Sequence, residues 1–433
     1  VPFQPLRGVR DYLPPEAGAR SEIRRRMSGV ARRAGFQELE TPSIESLDLF
    51  KVKSGEEIGG QVWSFTDKGG RPVALLPETT PSLARIFVDR AKSEPMPVKW
   101  FTVSKLWRYE EPQAGRTREF SQFNLDILGV PGIEAEVELL ATAALVLDEI
   151  GARGLYAFRI NDRALAEGLG RRFGVTDTDR FLRALDRYRK VSGAEFANEL
   201  TAAGVPPTET EELAGLFSAV GGGVPVAQAE DLLDRLATLK LPDPGPMGIE
   251  RLRAICRLLP RTGIQDRVVL DPSVVRGLAY YTSSVFEAYS LAGDLRALFG
   301  GGRYDHLVEL FGGPSTPACG LAIGDQTLEI LLRSKDRWPQ GEPGLDTYVV
   351  AVTAAEVPLA IEIAQRLRRA GLGADLDLMG RSLSRQLKEA DRRHARRALI
   401  LGPQEVAKGM VIERDLATGQ QTERPLESVR PSE

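Results

Sequence analysis

The densest run of chemistry-bearing residues is Lys105 to Gly129, KLWRYEEPQAGRTREFSQFNLDILG. It reads as a strand, a polar loop with Pro112 and Gly115, and a second strand, with Arg108, Arg116 and Arg118 gathered around the loop. A guanidinium is a rigid fork for phosphate oxygens, so three of them on one hairpin suit a triphosphate. A solvated hairpin tip presents the same residues, and for loop arginines in general it is the commoner reason. Gln122 and Asp126 share side-chain parity on the second strand, so both point into one pocket. In Val275 to Glu287, VRGLAYYTSSVFE, Arg276 stands beside Gly277, where a missing side chain permits close backbone approach. Tyr280 and Tyr281 suit either interior packing or a pocket wall. Glu78 precedes a helix expected to start at Pro81, the position of an N-terminal capping acid. Gly300 to Gly302 let a strand pass flat beneath a nucleotide, and His306, at a helix start, reads as structural.

These residues sit in a chain of 433, long enough for two to four domains. Charged residues make up 27% and hydrophobic ones 42%, the balance of a folded globular protein. The net charge of -3 excludes a whole-chain field that draws in nucleic acid, so any RNA contact must come from local basic patches. Cys256 and Cys319 are far apart, forming neither a metal-ligand cluster nor a disulfide framework, which suits a reducing cytosol. Val1 to Arg10 lacks a basic-then-apolar signal, and runs such as Tyr348 to Thr353 are far shorter than a membrane span. A soluble cytoplasmic protein without a metal site is expected.

The elements that position the chemistry begin with a helix, Pro15 to Ala34, in which Ile23, Met27, Val30 and Ala31 recur at helical spacing. Strands are expected at Phe36 to Ile44, where Pro42 confines the segment to an edge or strand end, and at Pro72 to Leu76, Lys99 to Val103 and Asn124 to Leu128. Helices are expected at Pro81 to Ala91 and Glu134 to Ile150. Successive strands with few intervening helices predict an α+β core, an antiparallel sheet with helices packed on it. Amphipathic helices then fill about 162–262, interrupted by Gly221 to Gly223, before strands resume at Val268 to Leu270 and Tyr280 to Tyr289. The expected division is a discontinuous core of 1–161 and 263–332, a helical insertion 162–262, a Pro/Gly-rich linker 333–345 and an α/β domain 346–433. In the last, strands Thr347 to Thr353, Ala374 to Leu378 and Ala398 to Leu401 alternate with helices Val357 to Ala370 and Leu383 to Arg393, predicting a mainly parallel sheet closed by a hairpin at Ala417 to Gly419.

The arginine hairpin resembles motif 2 of class II aminoacyl-tRNA synthetases in its histidyl form, and VRGLAYYTSSVFE resembles the histidine-specific motif of the same family. LLPETTPSLAR, Leu75 to Arg85, and GGGRYDHLVELFGGPSTPACGLAIGDQTL, Gly300 to Leu328, look like two further segments of it. So do RGVRDYLP from Arg7, KSGEEI from Lys53, and GRSLSRQLKEADRRHARRALILG from Gly380, the last resembling the histidyl-type anticodon-binding domain. The insertion carries no matched motif. The resemblance implies a class II synthetase fold and an enzyme, a histidine-tRNA ligase that activates L-histidine with ATP to histidyl-adenylate and pyrophosphate, with Mg²⁺ bridging the ATP phosphates, and transfers the histidyl group to tRNA(His).

By the same resemblance Arg108 and Arg276 are catalytic and meet the α-phosphate, Glu110 faces adenine, and Arg116 and Arg118 lie in the loop that closes over pyrophosphate. Glu78, Thr79, Thr80, Gln122, Asp126, Tyr280, Tyr281 and Tyr304 would hold histidine. Arg385, Lys388, Arg392 and Arg396, at helical spacings of three or four, would contact tRNA phosphates, although a solvated helix face looks the same. The Pro42 edge strand resembles motif 1 and implies a homodimer. The chain departs from the family at Thr327, where motif 3 has arginine, at Leu76 for arginine, and at Asp126 for glutamate. Those departures keep open a non-catalytic paralogue, the histidine-sensing regulatory subunit of ATP phosphoribosyltransferase. A nucleic-acid-binding module explains less, because it needs no acidic pocket beside phosphate arginines.

Overall fold

The computed structural model describes residues 3–54, 60–113, 115–220, 223–276, 280–293, 295, 297–341 and 344–429. Gly55 to Ile58, Gly221, Gly222 and Gly277, which figure in the sequence reading, lie outside them. The chain divides into two compact units, Val1–Leu13 with Ala19–Pro339, and Pro14–Gly18 with Gln340–Glu433. No helix among the described residues is long and apolar enough to cross a membrane.

The strands of the first unit are β1 (Gln37–Glu38), β2 (Ile44–Ser46), β3 (Ser64–Thr66), β4 (Pro72–Leu75), β5 (Val98–Trp107), β6 (Glu119–Leu128), β7 (Tyr156–Asp162), β8 (Val224–Pro225), β9 (Val268–Leu270), β10 (Ser284–Ser290), β11 (Phe299–Arg303) and β12 (Ala318–Gly324). Its helices are α1 (Glu16–Arg33), α2 (Leu47–Ser54), α3 (Thr80–Arg90), α4 (Glu134–Glu149), then α5 (Arg163–Arg172), α6 (Thr178–Arg187), α7 (Gly193–Ala202), α8 (Pro207–Val220), α9 (Ala229–Thr238) and α10 (Gly245–Leu258), and last α11 (Leu307–Leu310) and α12 (Asp325–Arg333). Nine strands form one sheet in the order β1-β5-β6-β12-β11-β10-β7-β9-β8, and β2, β4 and β3 form a small one. The large sheet is antiparallel except at β1–β5 and β7–β9.

Strand periodicity sorts the two faces. Phe123, Leu125 and Ile127 of β6 enter the main core with Ile23, Met27, Val30 and Ala31 of α1, with α4, and with the helices α5 to α10. Each fully buried Val, Leu, Ile, Phe or Met among them contributes roughly 1.5–3 kcal/mol. The alternate residues Gln122, Asn124 and Asp126 turn to the opposite face, where α3 and α11 pack Leu83, Phe87 and Leu307 against Trp100, Tyr281 and Tyr304. The two long strands β5 and β6 therefore carry a hydrophobic core on one side and a polar floor on the other. Among the inserted helices, the rings of Tyr188, Phe196 and Phe217 meet at 4.7 to 5.8 Å and continue the main core.

Two expected strands change. Phe36 to Ile44 is not one strand: β1 follows the edge of the large sheet only as far as the Leu39 N–H bond to the Phe101 carbonyl, and the chain then joins the small sheet at Ile44. Pro42, without an N–H, falls at the crossing. Tyr280 to Tyr289 is a strand only from Ser284, because Arg276 takes a positive φ of 57° and the two tyrosines turn their rings onto each other before the ladder begins.

The second unit contains β13 (Thr347–Ala351), β14 (Ala374–Leu376), β15 (Arg397–Leu401), β16 (Met410–Asp415) and β17 (Gln421–Pro425), with α13 (Val357–Arg369), α14 (Leu383–Arg392) and α15 (Pro403–Ala407). The order is β14-β13-β15-β16-β17. The first three strands are parallel, and the terminal hairpin adds two antiparallel ones. Val349, Leu399 and Leu401 pack on α13 through Ile363 and Leu367, while Tyr348, Val350 and Ile400 face Ala390 of α14.

Candidate active site

A cleft of about 720 Å³ lies on the polar side of the large sheet. Its floor is Gln122 and Asn124 of β6 with Ala322 and Gly324 of β12, and its walls come from the segment before α3, the β5–β6 loop, and the segment before β10. Glu78, Thr79, Thr80, Arg108, Glu110, Arg116, Gln122, Arg276, Tyr280 and Tyr281 all line it. Arg118, Asp126 and Tyr304 do not.

Arg108 follows directly on β5. Its N–H bonds the Arg118 carbonyl, its Nε donates to the Pro77 carbonyl at 2.9 Å, and its guanidinium lies 5.2 Å from the Phe120 ring. It is thereby aimed before any ligand arrives. Arg116, half-exposed on the loop, approaches Glu110 at 3.4 Å. Arg118 turns away: its Nε donates to the Glu110 carbonyl, and it stacks on Tyr109 at 4.2 Å. It braces the loop backbone.

Asp126 and Tyr304 sit beneath the cleft, both buried, and the Tyr304 hydroxyl donates to Asp126. Burial, reinforced by the Asp126 carboxylate, pushes the Tyr304 phenol well above its ordinary value, so it stays a neutral donor. Tyr280 stacks at 4.6 Å on Tyr281 and meets Tyr304 edge-on at 5.9 Å. Gly302 permits this, since a Cβ there would lie 2.8 Å from the Tyr281 ring. Burial likewise raises Tyr280 and Tyr281, keeping both neutral.

Arg276 is held by Glu287, whose Oε1 accepts from Nη1 at 2.6 Å. Burial opposes the Arg276 charge, but the Glu287 carboxylate beside it offsets that and holds the group above its ordinary value. Thr79 Oγ1, Gln122 Oε1, Asn124 Oδ1 and Arg276 Nε are buried with no hydrogen-bond partner among the described residues. All four belong to residues lining this one cleft. Buried polar atoms are ordinarily paired, at a cost of about 1–3 kcal/mol when they are not, so these four are open to a polar partner entering the cleft.

Sequence reasoning missed Asn124, Glu287 and Gln326, all of which line the cleft. The parity that selected Gln122 and Asp126 also selects Asn124 between them. Glu287 closes the VRGLAYYTSSVFE run but falls inside the strand expected at Tyr280 to Tyr289, where nothing in the local pattern marks it as a site residue. Thr327 also lines the cleft, its hydroxyl donating to the Leu298 carbonyl. Glu78 does not cap α3: the N-cap is Thr79, which makes no side-chain cap bond.

In the second unit, Arg385, Lys388 and Arg392 lie on the exposed face of α14, with Arg392 paired to Glu389. Arg396 is not on that face. The helix ends at Arg392, the chain reverses through a His394 of positive φ, and Arg396 comes within 3.8 Å of Asp346.

Residues 8–328 match the family described as histidyl-tRNA synthetase, and residues 346–431 match the anticodon binding domain. The chain belongs to the histidyl-tRNA synthetase family. It is thus an aminoacyl-tRNA synthetase by family. A histidine–tRNA ligase of Thermoplasma volcanium is 37% identical over 96% of this chain and 95% of its own length. One of Halobacterium salinarum is 38% identical over 98% of this chain and 96% of its own. In fold, the crystal structure of a Nostoc histidyl-tRNA synthetase superposes with a TM-score of 0.85 at 24% identity, covering 99% of this chain and 98% of that one. A Bacillus halodurans structure titled ATP phosphoribosyltransferase regulatory subunit/histidyl-tRNA synthetase gives 0.74 at 21% identity, over 89% of this chain and 96% of that one.

Proposed function

We propose that this synthetase activates L-histidine with ATP and transfers the histidyl group to tRNA(His). The carrying observation is the cleft in which partnerless buried polar atoms of Thr79, Gln122, Asn124 and Arg276 surround a space that Arg108 also enters. ATP lies on the sheet with its α-phosphate between Arg108 and Arg276, Glu110 on the adenine side, and Arg116 over the departing pyrophosphate. Arg118 supports that loop from behind. Mg²⁺ enters as part of the substrate, carried by the triphosphate oxygens of ATP.

Histidine enters with its ammonium toward Glu78, Thr79 and Thr80 and its carboxylate toward Arg276 and Gln122. The imidazole reaches Tyr280, Tyr281 and the Tyr304–Asp126 pair below. The carboxylate, already a nucleophile, attacks the α-phosphorus in line; the bond to pyrophosphate breaks, and no general base is required. Arg108 and Arg276 meet the charge that grows on the α-phosphoryl oxygens, from a site that needs no rearrangement to do so. A terminal tRNA hydroxyl then attacks the adenylate carbonyl and releases AMP. Arg385, Lys388 and Arg392 on α14 contact tRNA phosphates, with Arg396 contributing from beyond the helix. The enzyme works in the cytoplasm as a homodimer formed on the β1 edge.

The regulatory-subunit reading is disfavoured by the anticodon-domain match and by the retention of Arg108, Arg116 and Arg276 in the cleft. Exchange of radioactive pyrophosphate into ATP tests the proposal directly. Exchange is expected only when histidine is present. A folded protein that shows none would be a binding subunit.

A further inference from the structure

We propose that Glu287 is a positioning residue for Arg276, and that contacts through Tyr289, Arg159, Asp271 and Arg189 make the seating of the helical insertion part of that positioning. The inference rests on the adenylation chemistry proposed above. Arg276 adopts a left-handed backbone conformation, unfavourable for a residue with a Cβ, and its guanidinium lies close against the sheet at Gly300. A Cβ at Gly300 would collide with that guanidinium, so the strand gives up a side chain to accommodate it. Glu287 stands opposite Gly300 in the β10–β11 register and opposite Arg159 in the β10–β7 register. The carboxylate therefore sits in the row next to the guanidinium.

Both of its oxygens are used. Oε1 accepts from Arg276 Nη1 at 2.6 Å, and Oε2 accepts from the Tyr289 hydroxyl. A carboxylate gripped at both oxygens cannot swing about its last torsion, and it fixes one corner of a planar fork. Arg276 Nε is left buried with no partner among the described residues, ready for an incoming oxygen.

The contacts continue away from the cleft. The Arg159 guanidinium lies 4.8 Å from the Tyr289 ring centre, and its Nη1 donates to Asp271 Oδ2 at 2.9 Å. The same oxygen accepts from Arg189 Nη2 at 2.6 Å, while Asp271 Oδ1 takes the N–H and hydroxyl of Ser273. Asp271 is buried, so removing either arginine leaves its carboxylate short of a partner in the interior. Arg189 belongs to the turn Tyr188–Lys190 that follows α6, and the neighbouring Tyr188 packs on Phe196 and Phe217. The inserted helices are thus tied, link by link, to the side chain that faces the reacting phosphate.

The test uses the full chain, histidine-dependent pyrophosphate exchange, and the thermal melt of each variant. If the unaltered protein shows no exchange, the activity proposal has failed and the positioning proposal falls with it; if it exchanges, the variants judge the positioning alone. Glu287→Gln is expected to lower kcat by about tenfold or more, with KM for histidine and ATP within about threefold, because an interaction that orients a transition-state donor acts on kcat. Tyr289→Phe, which removes one hydroxyl and keeps the ring, is expected to lower kcat by about threefold with the same KM pattern. Arg189→Met is expected to slow exchange in the parent but not further in the Glu287→Gln background, since both changes break one chain. A rise in KM at constant kcat for Glu287→Gln would make Glu287 a substrate-binding group and overturn the proposal, as would unchanged kinetics in a folded Glu287→Gln or Tyr289→Phe. Effects of Arg189→Met and Glu287→Gln that simply multiply would remove the insertion from it.

Discussion

At the scale of single residues, the Asp126–Tyr304 pair lies buried beneath the cleft floor. Asp126 stands where the sequence resemblance leads one to expect a glutamate, and here the Tyr304 hydroxyl meets the shorter carboxylate. Gly320 faces Asp126 across the ladder, where a Cβ would run into both side chains. Imidazole offers two nitrogens, and a pocket that pairs both rejects analogues that leave a buried group unpaired. With the imidazole placed as proposed, Asp126→Ala is therefore expected to weaken histidine binding by about 1–3 kcal/mol while ATP binding hardly changes. Titration calorimetry with each ligand separately checks this. Equal loss for both ligands, or for neither, would move the imidazole site elsewhere. The parity of Gln122 and Asp126 was readable from the strand period alone. That Asp126 lies one layer below the cleft was not, because it depends on which neighbouring strand brings a glycine alongside.

At the scale of elements, long regular segments announced themselves and junctions did not. The apolar spacing of Ile23, Met27, Val30 and Ala31 gives α1 to within a residue at each end, since one buried stripe decides it. The segment around Pro42 is split between two sheets, and Arg396 falls beyond α14, because tertiary bonds set where an element ends. The Gly-Gly-Arg-Tyr-Asp string illustrates the same limit. Its Tyr304 lies beneath the cleft beside Asp126, while its Arg303, which no motif singles out, is the tie between β11 and α4. Arg303 is 3% exposed, pairs with Glu136 through Nε and Nη2 at 2.7 and 2.5 Å, and also donates to the carbonyls of Val130 and Gly132. Removing one partner of such a pair strands the other charge in the interior. Arg303→Met is expected to cost about 3–5 kcal/mol of stability in the first unit, seen as a lower melting temperature in circular dichroism. Glu136→Gln, which keeps an acceptor for Arg303, is expected to cost less. A melt unchanged in Arg303→Met would mean that the pair is held by the fold rather than holding it.

At the scale of the whole molecule, the two compact units do not follow the chain in a simple order. The boundary at Pro339–Gln340 falls in the stretch where the sequence turns to proline, glycine and charge, but Pro14–Gly18 is grouped with the later unit. No local pattern reveals such a grouping. It follows from packing, as where Gly341 leaves no room for a Cβ against Pro15. A chain ending at Pro339 retains every strand of the nine-stranded sheet and the whole main core, so it is expected to fold. The first turn of α1, Glu16 to Gly18, then lacks its neighbours and is expected to fray, while Ile23, Met27 and the buried Arg20 bound to Glu329 keep the rest of the helix in place. Histidine-dependent pyrophosphate exchange should survive the truncation, because the cleft is lined wholly by residues up to Thr327. Charging of tRNA(His) should fall sharply and lose much of its salt dependence, since Arg385, Lys388, Arg392 and Arg396 leave with the second unit and their counterion release goes with them. Aminoacylation measured at two salt concentrations on both chains reads this out. If the truncated chain charged tRNA as well as the full one, with the same dependence on salt, the second unit would not be a tRNA-binding element of this enzyme.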